Sequence, residues 1–287
     1  MSKDKAASIR ARLLQLAKAE KSDFDQVLVR FALERILYRL GQSPYAHRFL
    51  LKGALLFAPW YDMPHRPTRD VDLLGFGSTD ADDIKAVFTH IAEMAVDDGI
   101  HFNTTHLRVD DIRKVTAYPG LRVTLDAELA RAVCKVQIDI GFGDAVTPEP
   151  GQSSFPTLLS DLPAPQLRTY PVYTVVAEKL HAIVLLGMGN TRMKDFYDLM
   201  VLLERETLDE TLLAKAIHAT FNRRQTLVPM TTPTGLSEAF AADPSKQIQW
   251  LSFLKKNNLG QFPLASAVAF LQSKLSHSLF VASSADL

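Results

Sequence analysis

The alternation of apolar and polar residues predicts helices at the start of the chain. Between residues 5 and 20, Ala, Ile and Leu recur at helical spacing among Arg and Lys. A second helix is predicted after Ser22 or Asp23, since either residue is a suitable N-cap, and Gly41 is a suitable place for it to end. The short apolar run over residues 47–57 is followed by a proline-rich loop.

The middle of the chain has the two-residue period of strands. Residues 69–74 form a predicted strand, in which Val71 and Leu73 alternate with two aspartates, and a helix is predicted over residues 80–97. Further strands are predicted over residues 102–109, 120–125 and 133–142. This order of elements indicates an α+β fold with a mixed sheet.

A proline-rich stretch over residues 148–171 predicts a domain junction. The remaining pattern is helical: Thr174 is a predicted cap, residues 187–191 a predicted interruption, and residues 192–204 a second helix. Later helices are predicted over about 208–221, 246–256 and 263–276. We therefore predict two domains, with the N-terminal helices and α+β core in residues 1–165 and a C-terminal helical domain in residues 166–287.

Composition narrows the function classes without naming one. Apolar residues make up 47% of the chain, and 32 basic residues balance 32 acidic ones, which argues against a dedicated duplex-DNA binder. The lone Cys134 lies in an apolar run and suits a buried position in a reducing compartment. The first residues lack the apolar core of a signal peptide, and no run of about 18 uncharged apolar residues occurs. We expect a cytoplasmic protein with no membrane span.

The most informative chemical signal is the pair Asp70 and Asp72. Residues two apart in a strand point to the same face, so both carboxylates are predicted to project side by side. Such carboxylates repel each other unless a cation lies between them, and Mg²⁺ commonly binds one or two carboxylates together with substrate phosphates. The alternative is two solvated aspartates on an edge strand, which this pair alone does not exclude.

A third carboxylate strengthens the metal hypothesis. In the predicted strand that contains Asp139, Ile138, Ile140 and Phe142 share one face and the aspartate lies on the other. A charged residue within such a strand needs a partner or a metal. Placed beside Asp70, it would complete a two-metal site of the kind that activates an attacking oxygen and stabilises a leaving pyrophosphate. The alternative is a surface aspartate on a half-exposed strand.

Two further segments suit phosphate binding. Lys52 and Gly53 follow an apolar run, and a glycine there lets backbone approach a phosphate, although a plain turn is the simpler interpretation. Lys179 and Lys194 are point charges that could each reach a triphosphate. The alternative for the second segment is a solvated helix face, with Lys194 and Asp198 as an ordinary i,i+4 pair. The chain contains no His-Glu-x-x-His, Walker loop or Gly-x-Ser-x-Gly motif.

Taken in order, these segments resemble the AbiEii/MenT family of bacterial nucleotidyltransferase toxins, which belongs to the DNA polymerase β-like superfamily. The motifs are Lys52-Gly53, Arg66-x-Thr68-x-Asp70-x-Asp72, the strand with Asp139, and Lys179 followed by Lys194-Asp195-x-x-Asp198. They extend over about residues 48–204. Where the superfamily often has Ser after the glycine, this chain has Ala54, so a phosphate contact there must come from backbone N–H groups.

The resemblance implies a polymerase-β-like core followed by a helical domain, with the active site in the groove between them. It implies metal binding (Mg²⁺ or Mn²⁺) by Asp70 and Asp72, joined by Asp139, and an essential Asp195 that handles the acceptor hydroxyl. The residues expected to contact the NTP are Lys52, Gly53, Arg66, Thr68, Lys179 and Lys194. The expected reaction transfers a nucleoside monophosphate to RNA, at the 3′ end of tRNA, and the expected partner is a separately encoded antitoxin.

Two other hypotheses remain open from the sequence. In one, the acceptor is a small molecule, such as an aminoglycoside, or a protein hydroxyl, since the motifs do not distinguish acceptors. Arg192, Lys194, Arg223 and Arg224 are equally compatible with a basic rim for RNA and with solvated helix charges. The third hypothesis is a catalytically inactive nucleotide-binding interaction protein, against which the three carboxylates argue.

Overall fold

The computed structural model describes residues 3–61, 68–112 and 120–284. The chain divides into two compact units. The first comprises Met1–Gly143 and Gly151–Thr169, and the second comprises Asp144–Pro150 and Tyr170–Leu287. The chain therefore enters the second unit briefly, returns to the first, and then completes the second.

The first unit is built on one seven-stranded sheet. Its helices are α1 (Lys3–Glu20), α2 (Phe24–Gln42), α3 (Phe57–Tyr61) and α4 (Ala81–Glu93). Its strands are β1 (Phe49–Lys52), β2 (Asp70–Gly75), β3 (His101–Asp111), β4 (Gly120–Leu129), β5 (Ala132–Phe142), β6 (Gly151–Ser154) and β7 (Gln166–Thr169). The strand order is β3-β4-β5-β2-β1-β7-β6. Strands β2 and β5 pair in parallel, as do β1 and β7, and the other neighbours are antiparallel.

The two faces of this sheet differ in chemistry because each long strand alternates. On β4, Leu121, Val123 and Leu125 are buried, and the residues between them are polar and partly exposed. Helices α1, α2 and α4 pack on the strands and cover the apolar side chains. The opposite, polar face carries the charged residues of β2, β4 and β5. The predicted α+β architecture, a mixed sheet followed by C-terminal helices, is confirmed.

Helix α4 is shorter than the prediction of residues 80–97. It begins after Asp80, whose carboxylate accepts the backbone N–H groups of Asp82 and Asp83 as an N-cap. It ends at Glu93, and Met94 has non-helical backbone angles. Asp98 is fully buried and binds two guanidinium groups of α2, at 2.9 Å from Arg35 Nε and 2.6 Å from Arg39 Nη1. This buried ion cluster ties the turn after α4 to the longest helix of the unit.

The proline-rich stretch contains two short strands that the sequence pattern did not predict. Strands β6 and β7 pair with each other, and β7 also pairs in parallel with β1. Their sequences, Gly-Gln-Ser-Ser and Gln-Leu-Arg-Thr, lack the apolar alternation from which a strand is predicted. Their place in the sheet is set by pairing with distant residues.

The second unit is helical. After residues 144–150 it contains α5 (Val172–Leu186), α6 (Met193–Arg205), α7 (Glu210–Arg223), α8 (Glu238–Ala242), α9 (Pro244–Lys256) and α10 (Leu264–Ser283). The predicted interruption after α5 is a 3-10 turn at Gly187–Gly189. The prediction that Thr174 caps α5 is wrong, because the helix begins at Val172. The Thr174 hydroxyl instead donates to Thr147 O and accepts from Thr147 N.

Within the described residues, one stretch has the length and apolar character of a membrane span. It covers Val172–Gly189, essentially helix α5. The core helix of a globular protein passes the same test of length and composition, and α5 packs against α6 and α7. One such helix is therefore a weak argument for membrane insertion.

Candidate functional site

Asp70 and Asp72 lie on the polar face of β2. The strand alternates as predicted, with Val71 and Leu73 buried and both aspartates partly exposed. Just before the strand, the hydroxyl of Thr68 donates to Oδ1 of Asp70 at 2.9 Å, which orients that carboxylate. Arg66, the other residue expected in this segment, lies outside the described residues. The structure therefore brings the Asp-x-Asp pair together on one partly exposed face of the sheet.

A row of charged residues crosses four strands at the level of Asp72. Lys52 on β1 is directly opposite Asp72 on β2. Asp72 is in turn opposite Asp139 on β5, and Asp139 is opposite Arg122 on β4. Residues that face each other across neighbouring strands share a face of the sheet, at about 4.8 Å between strands. The row therefore places two carboxylates side by side with a cation beyond each of them.

Asp139 lies on the predicted face, and its carboxylate is held by Arg122. Nε of Arg122 donates to Oδ1 and Nη2 donates to Oδ2, each at 2.8 Å, in a bidentate pair. Among the residues that the structure describes, no group of three or more His, Cys, Asp or Glu side chains is arranged to hold a metal ion. Asp70 and Asp72 remain a pair of hard oxygen donors, the number that Mg²⁺ commonly takes from a protein.

Gly53 brings the backbone against the Asp-x-Asp pair. Its φ is +76°, in the left-handed region. A Cβ at this position would overlap Oδ2 of Asp72 and lie 2.8 Å from the Asp72 Cβ. Gly53 is the first residue of the 3-10 turn Gly53–Leu56. The glycine expected from the sequence to admit a phosphate thus leaves room for the second carboxylate of the pair.

Substituting Gly53 with alanine is expected to lower nucleotidyl transfer by about 100-fold, because displacing a reacting group by about 1 Å costs that much. The added methyl group must push the Asp72 carboxylate aside. The matched control is Gly77→Ala, where φ is +87° and a Cβ would meet nothing within 4 Å. Both variants carry similar backbone strain, so thermal unfolding and activity measured on both isolate the clash. Equal activity of the two variants would contradict this role of Gly53.

A second group of predicted residues forms a buried ion cluster in the helical unit. Nζ of Lys179 on α5 lies 2.7 Å from Oδ2 of Asp198 and 3.2 Å from Oδ1 of Asp195, both on α6. Nε of Arg192 donates to the other oxygen of Asp195 at 2.5 Å. Both aspartates are fully buried, so the alternative of a solvated helix face is wrong for them. Lys194 is exposed on the same helix, and the cluster forms without it.

The charges around Asp195 keep it ionised. Burial alone would raise the pKa of this carboxyl group, but Lys179 and Arg192 outweigh burial and hold its pKa below the usual range. Arg192 is half exposed, whereas Lys179 is mostly covered. Asp195 is therefore an anionic anchor between two cations, and only one of those cations extends well into solvent.

A neighbouring network in the same unit was not predicted from the sequence. Nη2 of Arg224 lies 3.0 Å from Oδ1 of Asp144 and 3.2 Å from Oε1 of Glu178, the residue before Lys179. Arg224 also contacts His181, whose pKa is lowered to about 4 by burial and by this guanidinium. Arg224, a candidate for a basic rim, is thus committed to internal carboxylates. Asp144 and Glu178 are distant from Arg224 in the sequence, so no local pattern predicts these contacts.

Comparison with protein families identifies the class of enzyme. A model of the family described as nucleotidyl transferase AbiEii toxin, of a type IV toxin–antitoxin system, matches residues 35–272. The match spans most of the two units. It includes the charged row on the sheet and the ion cluster around Lys179 and Asp195. The chain is a nucleotidyltransferase, and it belongs to the AbiEii toxin family.

Two crystal structures from Helicobacter pylori are similar to the chain. One is of the protein JHP933, with a TM-score of 0.45 and 14% identity over 87% of this chain and 88% of that one. The other is of a protein described as a candidate nucleotidyltransferase, with a TM-score of 0.46 and 15% identity over 87% of this chain and 90% of that one. A comparison with curated proteins gave no match.

Proposed function

We propose that this enzyme transfers a nucleoside monophosphate from an NTP to RNA, at the 3′ end of tRNA, with release of pyrophosphate and with Mg²⁺ or Mn²⁺ as cofactor. The observation that carries the chemistry is the pair Asp70 and Asp72, both partly exposed on the polar face, with cationic residues in the same row. The acceptor follows from the family resemblance, in which several members modify tRNA. The type IV family also implies an antitoxin partner. We expect the reaction in the cytoplasm, where these substrates occur.

The donor set at this face fits a divalent cation. Two carboxylates project from one strand, Thr68 orients one of them, and the absence of a side chain at Gly53 leaves room for the other. When bound, such a cation neutralises charge on the transferring phosphoryl group and on the leaving pyrophosphate. Asp70 and Asp72 would hold it, because hard oxygen ligands are those that Mg²⁺ prefers.

The remaining residues act by position and charge. Lys52 lies in the row opposite Asp72 and is largely buried, and its positive charge beside the carboxylate pair favours an anionic triphosphate there. In the helical unit, Lys179 is held by two buried aspartates, and the family resemblance implies that it contacts the nucleotide. Both oxygens of Asp195 are engaged by Lys179 and Arg192, so we assign Asp195 to holding those cations in place. The family resemblance implies a role for Asp195 at the acceptor hydroxyl. We propose instead that Asp195 positions Lys179 and Arg192.

The test is incubation of the full chain with total bacterial tRNA, Mg²⁺ and each labelled NTP in turn, beside Asp70→Ala. Label on tRNA with one or two of the NTPs, absent with the variant, is the expected result. tRNA binding should weaken steeply with salt, because phosphate contacts release counterions. Label on a small molecule or a protein instead of tRNA would reject RNA as the acceptor and identify the other class. NTP binding with no product from any acceptor would support an inactive binding protein.

A further inference from the structure

The Asp139 carboxylate has little capacity left for a metal ion. Arg122 engages both of its oxygens, and the side-chain amide of Gln137 lies 3.4 Å from Oδ1. A bidentate guanidinium–carboxylate pair is among the stronger polar contacts in proteins, and a metal ion at Asp139 would have to displace it. The side chain is 16% exposed, since the guanidinium covers it. This position therefore differs from that of a third metal carboxylate.

Arg122 is placed to bind an anion beside the Asp-x-Asp pair. It is one strand beyond Asp139 in the charged row, and its side chain is 41% exposed on the open face. Asp139 uses only Nε and Nη2, so the guanidinium keeps further N–H donors that this carboxylate does not engage. The negative charges of Asp70 and Asp72 also act on it. The guanidinium of Arg122 is thus held by Asp139 along one edge, and its other edge is available to an anion.

We propose that Arg122, held by Asp139, binds the phosphates of the NTP and the leaving pyrophosphate, and that Asp139 positions Arg122 without binding metal. The inference rests on the proposed function. A fixed, planar guanidinium suits phosphate recognition because its donors match two phosphate oxygens at once. Asp139 is then a positioning residue, and the metal site consists of Asp70 and Asp72 with the substrate.

The charge balance of the face supports this assignment. The three carboxylates carry three formal negative charges, and Lys52 and Arg122 carry two positive charges, so one negative charge remains. A divalent cation on Asp70 and Asp72 would make the face net positive by one charge, which favours a polyphosphate. Without Arg122, the same loaded face would be neutral. Among these five residues, Arg122 therefore supplies the charge that makes the metal-loaded site net positive.

Two probes separate the two halves of the proposal in the full chain. Binding of Mn²⁺ alone, followed by electron paramagnetic resonance, tests the metal ligands. Binding of inorganic tripolyphosphate with Mn²⁺, followed by calorimetry, tests phosphate recognition without any base preference. The variants are Arg122→Gln, Arg122→Lys, Asp139→Asn and the Arg122→Gln/Asp139→Asn double variant. Asp70→Asn serves as the metal-ligand reference, and Lys135→Gln is the control, since Lys135 is exposed on the same face of β5.

Loss of the arginine contact is expected to weaken tripolyphosphate binding by about 10- to 100-fold, the usual effect of a charge-assisted hydrogen bond. Asp139→Asn should weaken it by a similar factor, and the double variant should be no worse than Arg122→Gln. Arg122→Lys should recover part of the affinity only, because it keeps the charge and loses the planar fork. Lys135→Gln should bind as wild type does.

The double variant decides the metal question, because it removes one charge of each sign. It should bind Mn²⁺ as wild type does, whereas Asp70→Asn should lose the ion. Loss of Mn²⁺ by the double variant would make Asp139 a metal ligand and overturn the proposal. Unchanged tripolyphosphate binding by Arg122→Gln, or equal weakening by Lys135→Gln, would overturn it as well. Arg122-dependent tripolyphosphate binding with no labelled RNA would instead reject only the proposed acceptor.

Discussion

Replacing Asp72 with asparagine is expected to lower the rate of nucleotidyl transfer by about a thousandfold, and Asp70→Asn should do the same. Each substitution keeps the shape of the side chain and removes a charge that would hold the divalent cation. Metal stabilisation of the charge on a transferring phosphoryl group is worth several kcal/mol, and about 4 kcal/mol corresponds to three orders of magnitude in rate. The measurement is pyrophosphate release from NTP with the acceptor present.

The control for this prediction is Asp126→Asn. Asp126 is a carboxylate on the same face of the sheet, on β4 opposite Lys135, and four residues along the strand from the charged row. It should retain nearly full activity. Asp70→Asn and Asp72→Asn should also lose Mn²⁺ binding, whereas Asp126→Asn should keep it. Normal turnover by Asp72→Asn would reject the assignment of the metal site, whatever the acceptor.

Replacing Asp98 with alanine is expected to lower the free energy of unfolding by about 3–5 kcal/mol, the usual effect of removing one partner from a buried ion pair. Both oxygens of Asp98 are engaged by the guanidinium groups of Arg35 and Arg39, at 2.6–3.0 Å. All three side chains are almost completely buried. The variant would leave two cations in the interior with a single buried glutamate, Glu34, beside Arg35.

The adjacent residue provides a matched control. Asp97 pairs with Lys5 at 2.6 Å, but its side chain is 76% exposed. Asp97→Ala should change stability by less than about 1 kcal/mol, because solvent screens exposed pairs. Urea denaturation followed by circular dichroism compares the two variants. A similar stability for both would show that the buried cluster contributes no more than a surface pair does.

Strands β2 and β5, which carry Asp70, Asp72 and Asp139, could be predicted from local pattern. Alternation placed Asp70, Asp72 and Asp139 on the polar face, because a period of two is a property of each strand alone. The bidentate partner of Asp139 could not be predicted in this way. Arg122 meets it through the register of β4 on β5, and register depends on how whole strands pair.

The buried aspartates of α6 show the same limit on prediction. Asp195 and Asp198 are polar residues in an amphipathic helix, and periodicity alone assigns such residues to solvent. Their burial depends on Lys179, which comes from a different helix. Strands β6 and β7 were missed for a related reason, since their pairing is decided by β1 and by each other. Strand β1 was also missed, because Phe49–Lys52 is buried throughout and lacks the alternation from which the other strands were predicted.

The charged row across the sheet can form only after all the strands that carry it have been synthesised. Lys52 and Asp72 belong to strands made early, but β2 takes its parallel partner from β5, which ends at Phe142. A growing chain that stops before β5 has the Asp-x-Asp segment without Asp139 or the pairing that fixes it. For a member of a toxin family, this means that the nascent chain on the ribosome has no complete charged row until β5 has been synthesised.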